Sequence, residues 1–396
     1  MSRLLRNDAM TVEAMAAEAG RRTAERCCGR HVLAIQDTTV VRSAPAGGGG
    51  LYLHPVIAVD ADEGALLGLV HATFLNRSRG VSADRRAKAV KDKESQRWLD
   101  GAAEAARVCA GAARVTVIAD RENDIYAAFA ACPTGADLLI RAAQNRSLDD
   151  KGRLFARLDA LPEAGRAALD LPAKPGRKAR VAQMAIRFTT VELARPQNGL
   201  VAGLPKSIPV TAIDVREIDP PPGEVVHWRL LATQAVETAT DAFAIVDLYR
   251  RRWVIEQVFR TLKTQGFDIE GLLVEEEAPL CRLVMATLVA AVTIQQLVHA
   301  RDGVQGPQPL RPMTDAFSPE DTPLLEAFCA RLEGKTERQK NPHPKGSLAY
   351  AAWVCARLGG WTGYYRKPGP IVMLNGWLDF QAAKRGRDTL ARMADV

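Results

Sequence analysis

The sequence lacks the cysteine and histidine patterns of a metal-thiolate or redox protein. Its seven cysteines include no CxxC pair: Cys27 and Cys28 are neighbours, and the other five lie far apart. The six histidines show no zinc-ligand spacing. The odd cysteine count, together with the lack of a signal peptide at the start, predicts reduced thiols in a cytoplasmic protein.

No apolar run is long enough to cross a membrane. The most apolar stretch, Leu283–Ile294, is followed by Gln295 and Gln296 and is shorter than the ~20 residues that a spanning helix needs. We therefore expect a core helix there and no membrane partner. The sequence also offers no convincing Ser-His or Cys-His arrangement, which favours a mechanism without a side-chain nucleophile.

The bulk composition is that of an ordinary soluble protein. A chain of 396 residues has room for two or three domains and a sizeable core. Its net charge of +7 and pI near 9.1 favour a polyanionic partner, although many proteins of this size are simply basic.

Two apolar runs each end in an aspartate. Residues 31–37 read HVLAIQD and residues 114–120 read RVTVIAD. Both patterns are typical of a buried strand whose carboxyl end delivers a side chain to a cleft, here Asp37 and Asp120. Each aspartate also has a plain structural alternative, because strands often end in an Asp that begins a turn or caps a helix. Asp124 and Glu122 compete with Asp120 for the second position.

The stretch from Tyr249 to Lys263 reads YRRRWVIEQVFRTLK and contains no helix breaker. We expect one continuous helix that buries one face and presents an acid, bases and aromatics on the other. The polar face would carry Tyr249, Arg252, Glu256 and Lys263, with Trp253 beside it. The alternative is the solvated face of an ordinary amphipathic helix.

The spacing Y-x2-R-x3-E-x6-K resembles the signature of the bacterial cut-and-paste DDE transposases of the insertion sequence four family, the branch that contains the transposon five transposase. In that family the Glu is the third metal-binding carboxylate of an RNase H-like active site. The resemblance implies a catalytic, metal-binding triad of Asp37, Asp120 and Glu256. Clustered carboxylates suit two Mg²⁺ ions, or Mn²⁺, in each active site.

The same resemblance implies contacts to double-stranded DNA, both transposon ends and target. In the family the Tyr, Arg and Lys of the signature hold DNA near the transposon end. A tryptophan twenty-one residues before the Tyr stacks where a base is flipped out. The DNA-binding residues implied here are Tyr249, Arg252, Lys263, Trp228, Trp253 and Arg141. Each has a structural alternative as a surface charge or a packed aromatic.

The fold expected from these runs is α/β: an RNase H-like mixed five-stranded sheet with helices, interrupted by a β-rich insertion and followed by a helical C-terminal region. The five strands are predicted at 31–37, 51–60, 65–75, 114–120 and 137–141, the first three antiparallel. The predicted parts are a leading helix (1–30, a remnant of an N-terminal DNA-binding domain), the first part of the catalytic core (31–145), the insertion (146–227), the second part of the core (228–300) and a dimerisation region (301–396).

The resemblance predicts a transposase that cleaves DNA, forms a hairpin at the transposon end and transfers the strand, working as a homodimer in a synaptic complex. Family members carry a longer DNA-binding domain than the roughly thirty residues before His31. One alternative is therefore an N-terminally truncated, catalytically silent inhibitor that dimerises with full-length transposase. A second is a related RNase H-like nuclease with no mobile element.

Overall fold

Buried β-branched runs form the strands of a mixed sheet. The computed structural model describes residues 2–43, 50–77, 95–171, 178–197, 203–222, 225–303 and 310–394. The strands are β1 (His31–Gln36), β2 (Thr39–Ser43), β3 (Gly50–Asp60), β4 (Leu66–Arg77), β5 (Arg114–Ala119), β6 (Ala136–Arg141), β7 (Gly165–Leu171), β8 (Arg180–Ala194), β9 (Ser207–Glu217) and β10 (His227–Ala232).

Helices precede, connect and follow these strands. They are α1 (Ser2–Leu5), α2 (Val12–Cys27), α3 (Gln96–Val108), α4 (Tyr126–Ala130), α5 (Leu154–Asp159), α6 (Ala239–Arg250), α7 (Trp253–Lys263), α8 (Glu277–Ala300), α9 (Thr322–Leu332), α10 (Leu348–Leu358) and α11 (Pro370–Ala394). Residues 1–30 contain α1 and α2.

Ten strands of the described residues join one sheet in the order β2-β3-β1-β5-β6-β10-β9-β8-β7, and β4 pairs with β3. The neighbours β1, β5 and β6 run parallel, whereas the run from β6 through β10 to β7 is antiparallel. The α/β prediction with a mixed sheet is confirmed.

The sheet is larger than the five strands expected. The five predicted strands correspond to β1, β3, β4, β5 and β6, but β2 is too short to stand out in the sequence. The strands of the predicted insertion extend the same sheet, because β10 pairs with β6 on one side and with β9 on the other. The fully buried Leu230 and Leu231 of β10 make that strand part of the sheet interior.

The single helix expected from Tyr249 to Lys263 is wrong. Helix α6 ends at Arg250 and α7 begins at Trp253, with a turn at Arg251 and Arg252. In that turn the Arg251 and Arg252 amides donate to carbonyls only three residues earlier, at 3.1 and 3.0 Å. In a continuous helix the charge of Arg251 would face the apolar side. The turn at Arg251 removes this conflict.

The chain divides into two compact units. The sheet unit comprises residues 28–56 and 73–253, and the helical unit comprises residues 1–27, 57–72 and 254–396. In the helical unit, α8, α10 and α11 enclose a core that includes Leu297, Trp353 and Phe380. By length and composition α8 could cross a membrane, but half of its most apolar window is buried within the structure. That burial is typical of the expected core helix.

His299 near the end of α8 is held as a neutral ring in the helical unit. Its Nδ1 accepts a hydrogen bond from the Leu66 amide at 3.2 Å, and its Nε2 lies 3.2 Å from Gln257 Oε1. Burial, followed by the charges of Arg311 and Arg301, lowers the pKa of His299 to about 4. Protonation would remove the acceptor that the Leu66 amide requires.

We expect acid to destabilise the wild-type protein more than the His299→Gln variant. In the unfolded chain His299 takes up a proton near pH 6.5, whereas in the folded chain it does so only near pH 4. The stabilising effect of the neutral ring is therefore complete above pH 6.5 and lost as the pH falls toward 4, by about 2 to 3 kcal/mol. Urea unfolding of both proteins at pH 7, 5.5 and 4.5 measures this loss of stability. Parallel pH profiles for both proteins would contradict the assignment.

Candidate active site

The pairing of β1 with β5 brings the two strand-ending aspartates to one edge of the sheet. The strands are parallel, with Ile35 opposite Ile118 as the last regular pair. Asp37 and Asp120 each come two residues after this pair, directly beyond the ends of the two strands. Neighbouring strands are about 4.8 Å apart, so both carboxylates extend from one place.

Asp37 forms an ion pair with an arginine of the predicted signature. Its Oδ1 accepts the Thr38 amide at 2.7 Å, and its Oδ2 accepts Arg252 Nη1 at 2.7 Å. The two side chains are only 13% and 15% exposed, so water screens the pair weakly. The turn between α6 and α7 therefore places a positive charge on the first carboxylate.

Asp120 ends its strand and also caps the short 3₁₀ turn that follows, Arg121–Asn123. Its Oδ1 accepts the Glu122 amide at 2.8 Å. The capping alternative and the catalytic interpretation are compatible, because the cap engages one carboxylate oxygen and thereby orients the group.

Asp124 is a structural carboxylate. It is 2% exposed and accepts hydrogen bonds from the Ala143 and Gln144 amides at 2.7 and 2.8 Å. Arg146 Nε donates to its other oxygen at 2.7 Å. These contacts tie the turn after β5 to the segment after β6.

A buried polar chain that sequence reasoning missed lies beside Asp37. His54 is fully buried; its Nδ1 is 2.9 Å from Thr38 Oγ1 and its Nε2 is 3.2 Å from Gln36 Oε1. Gln36 in turn donates to the Trp98 carbonyl at 3.3 Å. The signals for this chain in the sequence were polar residues in otherwise apolar strands, Gln36 and His54.

Tyr249 is buried rather than displayed on an open helix face. It is 6% exposed, and its ring centroid lies 6.3 Å from that of Trp228, a half-buried residue of β10. Its hydroxyl shares hydrogen bonds with Arg252 and Arg141. Burial raises the pKa of Tyr249 and outweighs the effect of the two arginines.

Arginines gather around this tyrosine. Arg141 ends β6 and donates to the His227 carbonyl at 3.2 Å, and burial, with the nearby charges of Arg121 and Arg252, lowers its pKa. Arg121, in the turn after Asp120, was not predicted. Trp253, the first residue of α7, is 55% exposed and does not serve as a packed core residue.

The remaining predicted residues, Glu256 and Lys263, belong to the helical unit. Glu256 lies half-buried in the first turn of α7, where a negative charge is stabilised by the helix dipole. Lys263 ends the same helix, and its Nζ pairs with Glu270 at 2.6 Å.

The donor chemistry at the sheet edge suits a hard divalent cation. Asp37 and Asp120 supply carboxylate oxygens, which Mg²⁺ and Mn²⁺ prefer. Among the described residues, however, no three His, Cys, Asp or Glu side chains are gathered closely enough to hold a metal ion. The two aspartates are thus of the right chemical type to bind a divalent cation, and they supply two carboxylate groups.

An α/β sheet with paired carboxylates at the ends of adjacent parallel strands, beside several arginines, is typical of an enzyme acting on phosphate groups. The family model for the transposase DDE domain matches residues 29–292, two thirds of the chain, and this span includes Asp37, Asp120 and Glu256. The chain therefore belongs to the DDE transposase family. The prediction of a DDE transposase that acts on DNA is confirmed, and proteins of this family generally use divalent metal ions.

We expect the two rival aspartates after β5 to behave differently when substituted. Asp124→Ala would leave Arg146 with a buried, unpaired charge and lower the free energy of unfolding by about 3 to 5 kcal/mol. Asp120→Asn keeps a side-chain acceptor for the cap and should cost less than about 1 kcal/mol. Urea unfolding of both variants measures the difference. Equal losses would show that Asp124 has no special structural role.

Proposed function

We propose that this chain is a transposase of the insertion sequence four branch, which catalyses metal-dependent strand cleavage, hairpin formation and strand transfer. The observation that carries the proposal is the parallel register of β1 and β5, in which Asp37 and Asp120 directly follow the ends of two adjacent strands within the matched domain. The contacts of Asp124 support the choice of Asp120, since they leave Asp124 a structural role.

The proposed catalytic triad is Asp37, Asp120 and Glu256, the last assigned by the signature it shares with the family. The three carboxylates would hold two Mg²⁺ or Mn²⁺ ions. When bound, such ions activate the attacking water or 3′-hydroxyl and stabilise the leaving oxygen of the displacement. The part of the sheet unit is to hold Asp37 and Asp120 at one edge of the sheet and to orient their carboxylates through the Thr38 and Glu122 amides.

The sheet order supports an RNase H-like core. Numbered along the chain, the five predicted strands are β1, β3, β4, β5 and β6, and they lie in the order β4-β3-β1-β5-β6. The first strand is thus central, with β5 parallel beside it, and both place their carboxyl ends at the proposed site.

Arg252 has a double part in this proposal. In the absence of DNA its guanidinium balances the charge of Asp37 at 2.7 Å. A DNA phosphate offers the same guanidinium a bidentate partner and would draw it from the carboxylate. Lys263, paired here with the half-exposed Glu270, would exchange partners in the same way.

The aromatic residues would contact bases and the DNA backbone. Trp253 is exposed and offers a stacking face, and Trp228 lies beside Tyr249 at the start of β10. Stacking on a flipped base returns about 1 to 3 kcal/mol of the flipping cost. Tyr249 and Arg141 would complete a basic surface that follows the phosphates.

The wider proposals follow the family. The partners are double-stranded DNA, at transposon ends and target, and a second copy of the chain in a synaptic complex. Dimerisation is assigned to the 301–396 region, including residues 346–349 and 356–361. The boundaries at 30, 145, 227 and 300 and the cytoplasmic location stay predictions.

The test is cleavage of a pre-nicked duplex that carries the terminal inverted repeat flanking the gene, with Mg²⁺ or Mn²⁺. We expect hairpin product from the wild type. Asp37→Asn, Asp120→Asn and Glu256→Gln should each lower the rate at least about a hundredfold, because each removes a charge from the metal site. Asp247→Asn, which alters an exposed carboxylate of α6, is the matched control.

Two results would overturn the proposal. Full activity in any of the three carboxylate variants would remove that residue from the triad. A wild-type protein that is folded and dimeric but yields no product, and that blocks a full-length transposase, would instead be the truncated inhibitor.

A further inference from the structure

We propose that Arg97 is a positioning residue that locks together the two loops carrying the catalytic aspartates. The proposal rests on the function proposed above. Arg97 lies in the first turn of α3 and is not part of the DDE signature, so nothing in the sequence marks it. Its side chain is only 5% exposed.

One guanidinium reaches both loops. Arg97 Nε donates to Thr38 Oγ1 at 3.1 Å, and Arg97 Nη2 donates to Glu122 Oε2 at 2.9 Å. Thr38 directly follows Asp37 and gives its amide to that carboxylate at 2.7 Å. Glu122 gives its amide to Asp120 at 2.8 Å. The two contacts of Arg97 therefore lie one and two residues away from an oriented carboxylate.

Arg97 meets one end of the buried polar chain. Gln36 Nε2 donates to the carbonyl of Trp98, so Gln36 Oε1 faces His54 Nε2 and accepts from it. A neutral His54 ring then accepts at Nδ1 from the Thr38 hydroxyl, 2.9 Å away. The lone pairs of Thr38 Oγ1 accept from Arg97. Arg97 therefore contacts the hydroxyl group that orients the His54 ring.

Packing against Trp98 restricts the movement of the Arg97 side chain. Its guanidinium lies 5.0 Å from the ring of Trp98, which is 1% exposed and meets the His54 ring edge-on at 4.6 Å. A lysine could supply charge but not two donors in a fixed fork. We infer that the fork, rather than the charge alone, keeps Asp37 and Asp120 at a constant separation.

The experiment compares Arg97→Lys and Arg97→Gln with Arg107→Gln, a control on the same helix whose arginine is exposed and pairs only locally with Glu104. Mn²⁺ affinity is measured by calorimetry, DNA affinity by fluorescence anisotropy, and hairpin formation by the cleavage assay. The protonation of His54 is followed by ¹⁵N NMR of histidine-labelled protein.

We expect Arg97→Lys to weaken Mn²⁺ binding and slow cleavage about 10- to 100-fold, with DNA affinity within twofold of wild type. Both Arg97 variants should shift the ring ¹⁵N signals of His54, because the Thr38 hydroxyl in contact with that ring loses the arginine as its donor. Arg107→Gln should change nothing. A folded Arg97→Lys protein with wild-type Mn²⁺ affinity and an unchanged His54 signal would overturn the proposal.

A failure of the proposed function would look different. Wild-type protein that neither binds Mn²⁺ nor cleaves DNA would reject the transposase activity. In that case the NMR comparison still tests the role of Arg97. A changed His54 signal in the variants would support the proposal that Arg97 connects the two loops, and an unchanged signal would reject it.

Discussion

The parallel pairing of β1 with β5 is the constraint on which the proposed site depends. It sends Asp37 and Asp120 to the same edge of the sheet. Negative charges that are brought to one place require a positive charge close by. Arg252 meets this requirement through a largely buried ion pair with Asp37. In the family's chemistry a divalent cation fills the same electrostatic need.

Several features of the sheet unit follow from that requirement. The chain turns at Arg251 and Arg252, and this turn separates α6 from α7 at the point where the guanidinium meets Asp37. Tyr249 packs behind it and shares hydrogen bonds with Arg252 and Arg141. The result is a concentration of arginine side chains around one buried phenol, next to an acidic pair.

The strands and the two aspartates could be predicted because their signal is local. Apolar β-branched runs bounded by turn residues gave β1 and β5 to within a residue at each end. The prediction of a continuous helix from Tyr249 to Lys263 was wrong because the signal that interrupts the helix is not local. Its sequence has strong helical propensity, but the turn coincides with an ion pair between residues 215 positions apart. Helix propensity describes local preferences and contains no information about such a distant contact.

The hydrogen-bonded residues around the aspartates could not be predicted from the sequence, because they too depend on contacts between distant segments. Gln36, Thr38, His54 and Arg97 come from three separate segments, and only the fold makes them a chain of hydrogen bonds. The choice between Asp120 and Asp124 was also open, since both follow β5 closely. Burial and the contact with Arg146 separate them, and neither is visible in spacing or composition.

The most direct measurement is anomalous diffraction from crystals of the protein grown with Mn²⁺. The account predicts a manganese peak bound by carboxylate oxygens of both Asp37 and Asp120 at about 2.2 Å, with Arg252 displaced from Asp37. A peak elsewhere, or no peak at saturating Mn²⁺ with the Arg252–Asp37 pair still intact, would contradict the claim that these two strand ends form the metal-binding edge of the active site.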